Sequence, residues 1–106
     1  MPIKVKRRYL ALKIDSKANL NSKDLMDTVW EALLRLFGEY GASKTGLKLI
    51  DYCAEKRLAI IRVAHTEVDK IRAALAFITK IMAEPAAIHV LAVSGTLRAL
   101  RNKIKS

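Results

Sequence analysis

The sequence predicts an α+β domain of the split β-α-β, or ferredoxin-like, class, with an antiparallel sheet, two helices on one face and a C-terminal basic helix. The main observation is the order of the hydrophobic periods, which run strand, helix, strand, strand, helix, strand and helix. Two strand-helix-strand halves with right-handed crossovers give this sandwich. The second observation is size, because 106 residues with a single cysteine suit one domain with its own core and no disulfide.

The first strand is expected to follow a basic N-terminal arm. Residues 1–6 form this arm, and residues 7–106 form the single domain. From Arg7 to Asp15 apolar positions alternate with others, which is typical of a half-buried strand. The face expected to point toward the core carries Leu10, Leu12 and Ile14.

A long amphipathic helix is predicted after a polar connection. Asn21 followed by Asp24 resembles a capping box at the start of this helix. Gly38 and Gly41 are its predicted end signals, because glycine is common just beyond a helix.

A loop and a hairpin follow the helix. The loop sequence GASKTG, residues 41–46, lacks the Lys and Ser or Thr that a phosphate-binding P-loop carries directly after its second Gly. We therefore predict a flexible loop that carries Lys44. Residues 47–53 and 57–64 are two strand patterns, and residues 54–56 join them as a hairpin.

The second helix and the last strand come next. Thr66 to Asp69 fits the [ST]-x-x-[DE] capping box, and a helical apolar period then extends toward Pro85, the predicted stop. The run from Val90 to Val93 is short, apolar and rich in β-branched residues, which favours a buried strand.

The Ser94-Gly95-Thr96 corner ends that strand and can cap the final helix through Ser94 or Thr96. An apolar stripe in this helix contains Leu97, Leu100 and Ile104. A basic stripe beside it contains Arg98, Arg101 and Lys105. Free N–H groups at a helix start attract anions, so corner and stripe together could bind a phosphate backbone. The alternative interpretation is a capped amphipathic helix with a solvated face.

The charge balance indicates a polyanionic partner. Twenty Lys and Arg residues stand against ten Asp and Glu residues, which gives a net charge of +10. A basic excess of this size most often serves nucleic acid binding. Neither a signal peptide nor a membrane span is recognisable, and the sparse cysteine usage fits the cytoplasm.

The predicted sheet face argues against base stacking. RNA-recognition modules (RRM) share this topology and stack bases on aromatic residues of the first and third strands. Here the third strand has no aromatic residue, which leaves Tyr9 as the candidate stacker. If Ala59, Ile61 and Val63 face the helices, Leu58 and Ile60 are exposed. Exposed apolar area of this kind predicts a protein interface.

Catalytic and metal-binding patterns find little support in the sequence. His65 and His89 lie far apart without a carboxylate partner pattern, and neither a nucleophile elbow nor paired catalytic carboxylates are recognisable. The single Cys53 and the lack of a Cys/His cluster give no zinc signature. We therefore predict no catalytic residue and no metal ligand in this chain.

Several segments resemble one known family in order along residues 7–102. They are Arg8-Tyr9-Leu10, Phe37-Gly38-Glu39-Tyr40-Gly41-Ala42, Gly46-Leu47-Lys48-Leu49-Ile50, Ile60-Ile61-Arg62-Val63, Ile71-Arg72-Ala73-Ala74-Leu75 and Val93-Ser94-Gly95-Thr96-Leu97. In these segments the chain resembles the archaeal ribonuclease P protein component 2 family, the counterpart of the Pop-five subunit of eukaryotic ribonuclease P and MRP particles.

The resemblance implies a subunit that assists a catalytic RNA in removing the 5′ leader from precursor tRNA. It implies that the RNA holds the catalytic magnesium and that this chain binds no cofactor. It also implies a TIM-barrel-like partner, ribonuclease P protein component 3, in a two-plus-two assembly with the loop after the first helix near its centre. The residues expected to position RNA phosphates are Arg7, Arg8, Lys44, Arg98, Arg101, Lys103 and Lys105, together with the corner Ser94, Gly95 and Thr96. Those expected at a protein interface are Leu58, Ile60 and Gly41.

Three other functions stay open at this point. The first is an RRM-like scaffold, or a general RNA-binding module outside ribonuclease P, which uses its sheet for association. The second is a lone binder of single-stranded RNA that stacks bases on Tyr9. The third is a small hydrolase, although the loop after the first strand lacks the arginine that acylphosphatase-like enzymes of this fold use.

Overall fold

The computed structural model describes residues 6–17 and 19–104. Its elements are β1 (Arg7–Ser16), α1 (Ser22–Ser43), β2 (Lys48–Cys53), β3 (Leu58–Ala64), a 3-10 turn (His65–Glu67), α2 (Val68–Phe77), β4 (Lys80–Ile81), β5 (Glu84–Ser94) and α3 (Leu97–Ile104). Lys105 and residues 1–5 of the predicted basic arm lie outside the described residues.

The strands form one antiparallel sheet in the order β2-β3-β1-β5-β4. Strand β1 is central and pairs with β3 on one side and with β5 on the other. This confirms the predicted split β-α-β class, and β4 is an additional short edge strand that pairs with the start of β5.

The main core lies between the sheet and the helices α1 and α2. The alternation predicted for β1 is confirmed, because Leu10, Leu12 and Ile14 are at most 1 % exposed and belong to this core. Strand β3 contributes Ala59, Ile61 and Val63, as predicted. The helices contribute residues such as Leu25, Leu33, Ile71 and Leu75. Burial of this apolar surface is the main stabilising term of the fold.

The opposite sheet face is covered by α3. Leu100 is fully buried against Ala11 and Ile60, and Leu97 and Ile104 pack around them. The expectation that Ile60 lies on an open apolar surface is therefore wrong, because Ile60 is only 5 % exposed. The physical reason is that the apolar stripe of α3 needs a partner, and the sheet of the same chain provides it.

The start of α1 is capped as predicted, and its first segment breaks at Gly38, one of the two predicted end signals, although Gly41 lies inside a further helical segment. The Asp24 backbone N–H donates to Asn21 Oδ1 at 2.8 Å. Gly38, with φ 74° and ψ 176°, is not helical: the regular helix breaks there, and a second short helical segment continues across the kink to Ser43. Only glycine adopts this backbone region readily, and the fully buried Ala42 anchors the turn beyond the kink.

Helix α2 is shorter than its periodicity predicts. It ends at Phe77, and Ile78 is already extended. Ile78 and Ile81 both reach the core from this extended segment, so tertiary burial overrides the helical period. Pro85 therefore lies inside β5, opposite Lys80, rather than at a helix stop.

The predicted Thr66 capping box is also wrong. Thr66 lies in the 3-10 turn, and Glu67 at the N-cap position of α2 makes no side-chain capping bond. Glu67 instead pairs with Lys70 at 3.3 Å.

Strand β5 is longer than the apolar run that predicted it. It spans eleven residues, and its pairing with β1 shifts between Ala11 and Leu12. The shift leaves Leu91 between two paired residues as a bulge, with its side chain 51 % exposed. Among the described residues, no helix is long and apolar enough to cross a membrane.

Candidate nucleic-acid interface

One end of the sheet collects basic side chains from several elements. Strands β1 and β2 begin there, β3 and β5 end there, α1 arrives there and α3 starts there. Backbone hydrogen bonds hold these segments together: Ala64 N donates to Thr45 O at 2.9 Å, and His65 N donates to Lys6 O at 2.9 Å. We call this region the basic end; its cations are Lys6, Arg7, Arg8, Lys44, Lys48, Arg62 and Arg98.

The Ser-Gly-Thr corner forms part of the basic end. Thr96 Oγ1 accepts a hydrogen bond from Ala99 N at 3.2 Å, so Thr96 caps α3 in the way the sequence predicts. Ser94 is largely buried, and its Oγ accepts a weak hydrogen bond from Thr96 N at 3.4 Å. The corner is therefore a fixed turn with the start of a helix behind it.

Arg8 lies directly beside this corner. Its Nη1 atom is 3.6 Å from the point where a β-carbon on Gly95 would lie, so glycine allows the guanidinium to approach the backbone closely. The same Nη1 donates to the carbonyl oxygen of Arg7 at 3.1 Å. Arg7, Arg8 and the corner, which are distant in sequence, are thus brought together by the pairing of β1 with β5.

The described basic residues of α3 point in different directions and have different partners. Arg98, in the first turn, is exposed and makes no ion pair within residues 6–17 and 19–104. Arg101 lies one turn later and pairs with Asp51 of β2, with Nη2 3.5 Å from Oδ2. Lys103 points to the other flank of the helix, where its Nζ donates to the carbonyl oxygen of Val93 at 2.9 Å. Of the three, Arg98 therefore belongs to the basic end.

Lys44 reaches the basic end from the C-cap position of α1. Its Nζ lies 4.7 Å above the centroid of the Tyr40 ring, within the range of a cation–π contact. Tyr40 is 74 % exposed, so the contact is at the surface and leaves the ammonium group open to solvent and to an anion.

Three cations of the basic end are missing from the residues predicted by sequence: Lys6, Lys48 and Arg62. Lys48 of β2 lies directly opposite Arg62 of β3, and Arg62 lies opposite Tyr9 of β1. The available signal was a single arginine inside the otherwise apolar run LAIIRVA. Arg62 becomes part of a cation pair only because the strand register places Lys48 beside it. The alternation of residues within one strand does not reveal that register.

Two of the three residues predicted at a protein interface lie together, and the third lies apart. Leu58 is half-buried and lines a pocket with Ile60, next to Arg101 and Ile104 of α3. Gly41 is half-buried in the last turn of α1, which packs on the sheet face opposite to α3. Ile60 is buried under α3, so the interface hypothesis remains a prediction for Leu58 and Gly41 alone.

The two histidines occupy separate places. His65 lies at the end of β3, where its Nδ1 is 3.1 Å from the carbonyl oxygen of Lys6. His89 lies in β5, opposite Lys13 of β1. In the part of the chain that the structure describes, no three His, Cys, Asp or Glu residues are grouped as metal ligands.

Comparisons with known proteins agree with this architecture. The chain is similar to ribonuclease P protein component 2 of Methanosarcina barkeri, with 33 % identity over 101 residues, which cover 95 % of this chain and 73 % of the relative. It is likewise similar to the protein of the same name from Pyrococcus furiosus, with 34 % identity over 95 % of this chain and 84 % of the relative.

The fold has a counterpart among solved structures. A chain in the cryo-EM structure of yeast ribonuclease MRP superimposes with a TM-score of 0.70 at 20 % identity, covering 92 % of this chain and 80 % of that chain. The model of the Rpp14/Pop5 family matches residues 8–105, nearly the whole chain. The chain therefore belongs to the Rpp14/Pop5 family.

Proposed function

We propose that this chain is a protein subunit of ribonuclease P, which binds the catalytic RNA and supports removal of the 5′ leader from precursor tRNA. The archaeal relatives that bear the name ribonuclease P protein component 2 align with 95 % of the chain, which supports this role. The structural observation that carries the proposal is the basic end, where cations from five elements surround a capped helix start.

The basic end suits contact with the RNA backbone. Arginine and lysine side chains on an open surface bind phosphate oxygens and thereby fix the position of the RNA. Reading of bases would need exposed aromatic platforms, and Tyr9 is half-buried within the cluster under α3. The proposed role is therefore to position phosphates, whereas magnesium held by the RNA carries out the cleavage and this chain supplies no catalytic residue.

The proposal includes protein partners. By resemblance these are ribonuclease P protein component 3 and a second copy of the chain, in a two-plus-two assembly in the cytoplasm. Support comes from α1, which leaves Trp30, Leu36 and Tyr40 39 %, 40 % and 74 % exposed. Large apolar side chains at the surface of one helix are typical of a helix that contacts another protein.

A charge-matched pair of variants tests the RNA-binding role. We expect Arg7→Ala/Arg8→Ala to weaken binding to the ribonuclease P RNA and to flatten its log-log salt dependence by about two units, one for each lost phosphate contact. The control is Lys23→Ala/Lys80→Ala, which removes the same charge from exposed residues near the opposite end of the sheet.

Binding is measured by filter retention over a salt series, and precursor tRNA cleavage by the reconstituted particle at limiting protein. A particle that cleaves equally well with and without the chain would contradict the proposal. Equal losses in the two double variants would show that net charge, rather than the basic end, drives binding. A scaffold protein would show weak RNA binding that disappears at moderate salt even in the wild type.

A further inference from the structure

We propose that Arg62, with Lys48 beside it, forms a partly buried phosphate-binding site for RNA on the α3 face of the sheet. This inference rests on the proposed function and refines it, because it names one partly buried contact within a surface whose other cations are mostly exposed. The ligand is a phosphodiester group of the RNA backbone.

The position of Arg62 is the first argument. Residues that pair directly across antiparallel strands point to the same face, so Lys48, Arg62, Tyr9 and Ser94 form one row across four strands. This row lies on the same sheet face as Ala11 and Ile60, which α3 covers. It is the next row on that face toward the end of the sheet where α3 starts. Arg62 therefore lies at the mouth of the space between α3 and the sheet, where an extended ligand can reach it.

The guanidinium of Arg62 carries a buried donor without an acceptor in the described part of the chain. Arg62 Nε is buried and has no hydrogen-bond partner within the described ranges 6–17 and 19–104. A buried donor without a partner is destabilising, and native proteins keep few of them unless a ligand or water completes the bond. A phosphate oxygen is a suitable acceptor, because a guanidinium offers parallel N–H groups that match two of its oxygens.

The positive charges of Lys48 and Arg62 are not balanced by a neighbouring carboxylate among the described residues. Lys48 and Arg62 are directly opposite cations, an arrangement that destabilises a strand pair. Strand β2 carries one carboxylate on this face of the sheet, that of Asp51, and it is paired with Arg101. Glu67, just beyond the end of β3, is paired with Lys70. An anion bound between Lys48 and Arg62 would remove their repulsion.

The surroundings favour RNA over an acidic protein segment as the ligand. Arg98 and Arg8 lie at the same end of the sheet, so the site continues into the basic end rather than standing alone. A polymer with a phosphate at every nucleotide can occupy such a row of cations at once. A single carboxylate from a protein partner would satisfy Arg62 and leave the neighbouring cations unused.

Two substitutions at Arg62 test the site. We expect Arg62→Met, which keeps the aliphatic stem, to weaken binding to the ribonuclease P RNA about tenfold and to flatten the salt dependence by about one unit. Arg62→Lys keeps the charge but loses the Nε–H and the planar fork, so we expect a several-fold loss with an unchanged salt slope. The matched control is Arg72→Met, which removes an exposed arginine from α2 and should leave RNA binding within twofold.

A spectroscopic measurement on the unaltered chain removes the dependence on mutant folding. The Nε–Hε signal of Arg62, assigned by NMR, should shift and exchange more slowly with solvent when RNA is added, because the Nε–H then donates to phosphate. An unchanged Arg62 signal in a chain saturated with RNA would overturn the inference.

Failure of this site and failure of the proposed function give different results. If the wild type binds RNA and both Arg62 variants bind equally well, the Arg62 site is wrong while the function stands. If the wild type itself binds no RNA, the proposed function fails first. If Arg62→Met impairs binding of ribonuclease P protein component 3 but not of RNA, the site holds a protein carboxylate and the inference is overturned.

Discussion

At the scale of single residues, two arginines that look equivalent in the sequence have different surroundings in the structure. Arg98 and Arg101 lie one turn apart on α3, and the sequence gives no reason to distinguish them. In the structure Arg101 is paired with Asp51, whereas Arg98 extends from the basic end without an acidic partner among the described residues. A cation already paired has less to gain from a phosphate than one that is not.

Single substitutions in α3 should reflect this difference. We expect Arg98→Ala to flatten the salt dependence of RNA binding by about one unit and Arg101→Ala to flatten it by clearly less. Asp51→Asn, which releases Arg101, should tighten binding. Filter binding over a salt series measures all three variants, and a larger effect of Arg101→Ala than of Arg98→Ala would show that RNA displaces Asp51.

At the scale of elements, the local sequence predicts the start of α1 correctly but not the end of α2. Asn21 caps α1 as expected, because the capping hydrogen bond joins two residues that are only three positions apart in the sequence. The period of α2 continues through Ile78 in the sequence, yet the chain extends there because Ile78 and Ile81 are buried against other elements. No local pattern contains that information.

Some parts of the candidate site can likewise be predicted from local sequence, and others cannot. The Ser94-Gly95-Thr96 corner and the run Arg7-Arg8 are visible in the sequence because each is a compact local motif. The row that joins Lys48 to Arg62 exists only through strand register, and the docking of α3 on Ile60 only through tertiary packing. The sequence therefore predicts a polyanion-binding surface but not the full arrangement of its cations.

The kink of α1 gives a prediction at the element scale. Gly38 has φ 74° and ψ 176°, a region that alanine adopts only with strain, although a β-carbon there would meet no neighbouring atom within 4 Å. We expect Gly38→Ala to lower the free energy of unfolding by about 1–3 kcal/mol. Urea denaturation measures the change.

The neighbouring variant Glu39→Ala is the control, because Glu39 is exposed and its helical backbone tolerates alanine. If Gly38→Ala is as stable as the wild type, α1 can straighten at this point without loss of core packing.

At the scale of the whole molecule, the net charge of +10 opposes folding by self-repulsion. Three ion pairs connect described residues, and two of them are largely exposed, so attraction between charges offsets little of this repulsion. The same excess of cations that we propose for RNA binding therefore reduces the stability of the free chain.

Salt should consequently stabilise the free protein. We expect Tm to rise as the ionic strength increases from about 0.01 M to about 0.15 M, because the Debye length falls from about 30 Å to about 8 Å. Calorimetry or circular dichroism measures Tm, with sucrose at matched osmolality as an uncharged control. A fall in Tm with salt would mean that attractive pairs outweigh the repulsion.

The pairing of β1 with β5 has a consequence for synthesis on the ribosome. The central strand is made early, but one of its two neighbours begins only at Glu84. At translation rates of about 5–20 residues per second, several seconds pass between the emergence of the two strands. During this interval the edge of β1 that later pairs with β5 presents unpaired backbone N–H and C=O groups, to which a strand of another chain can bind.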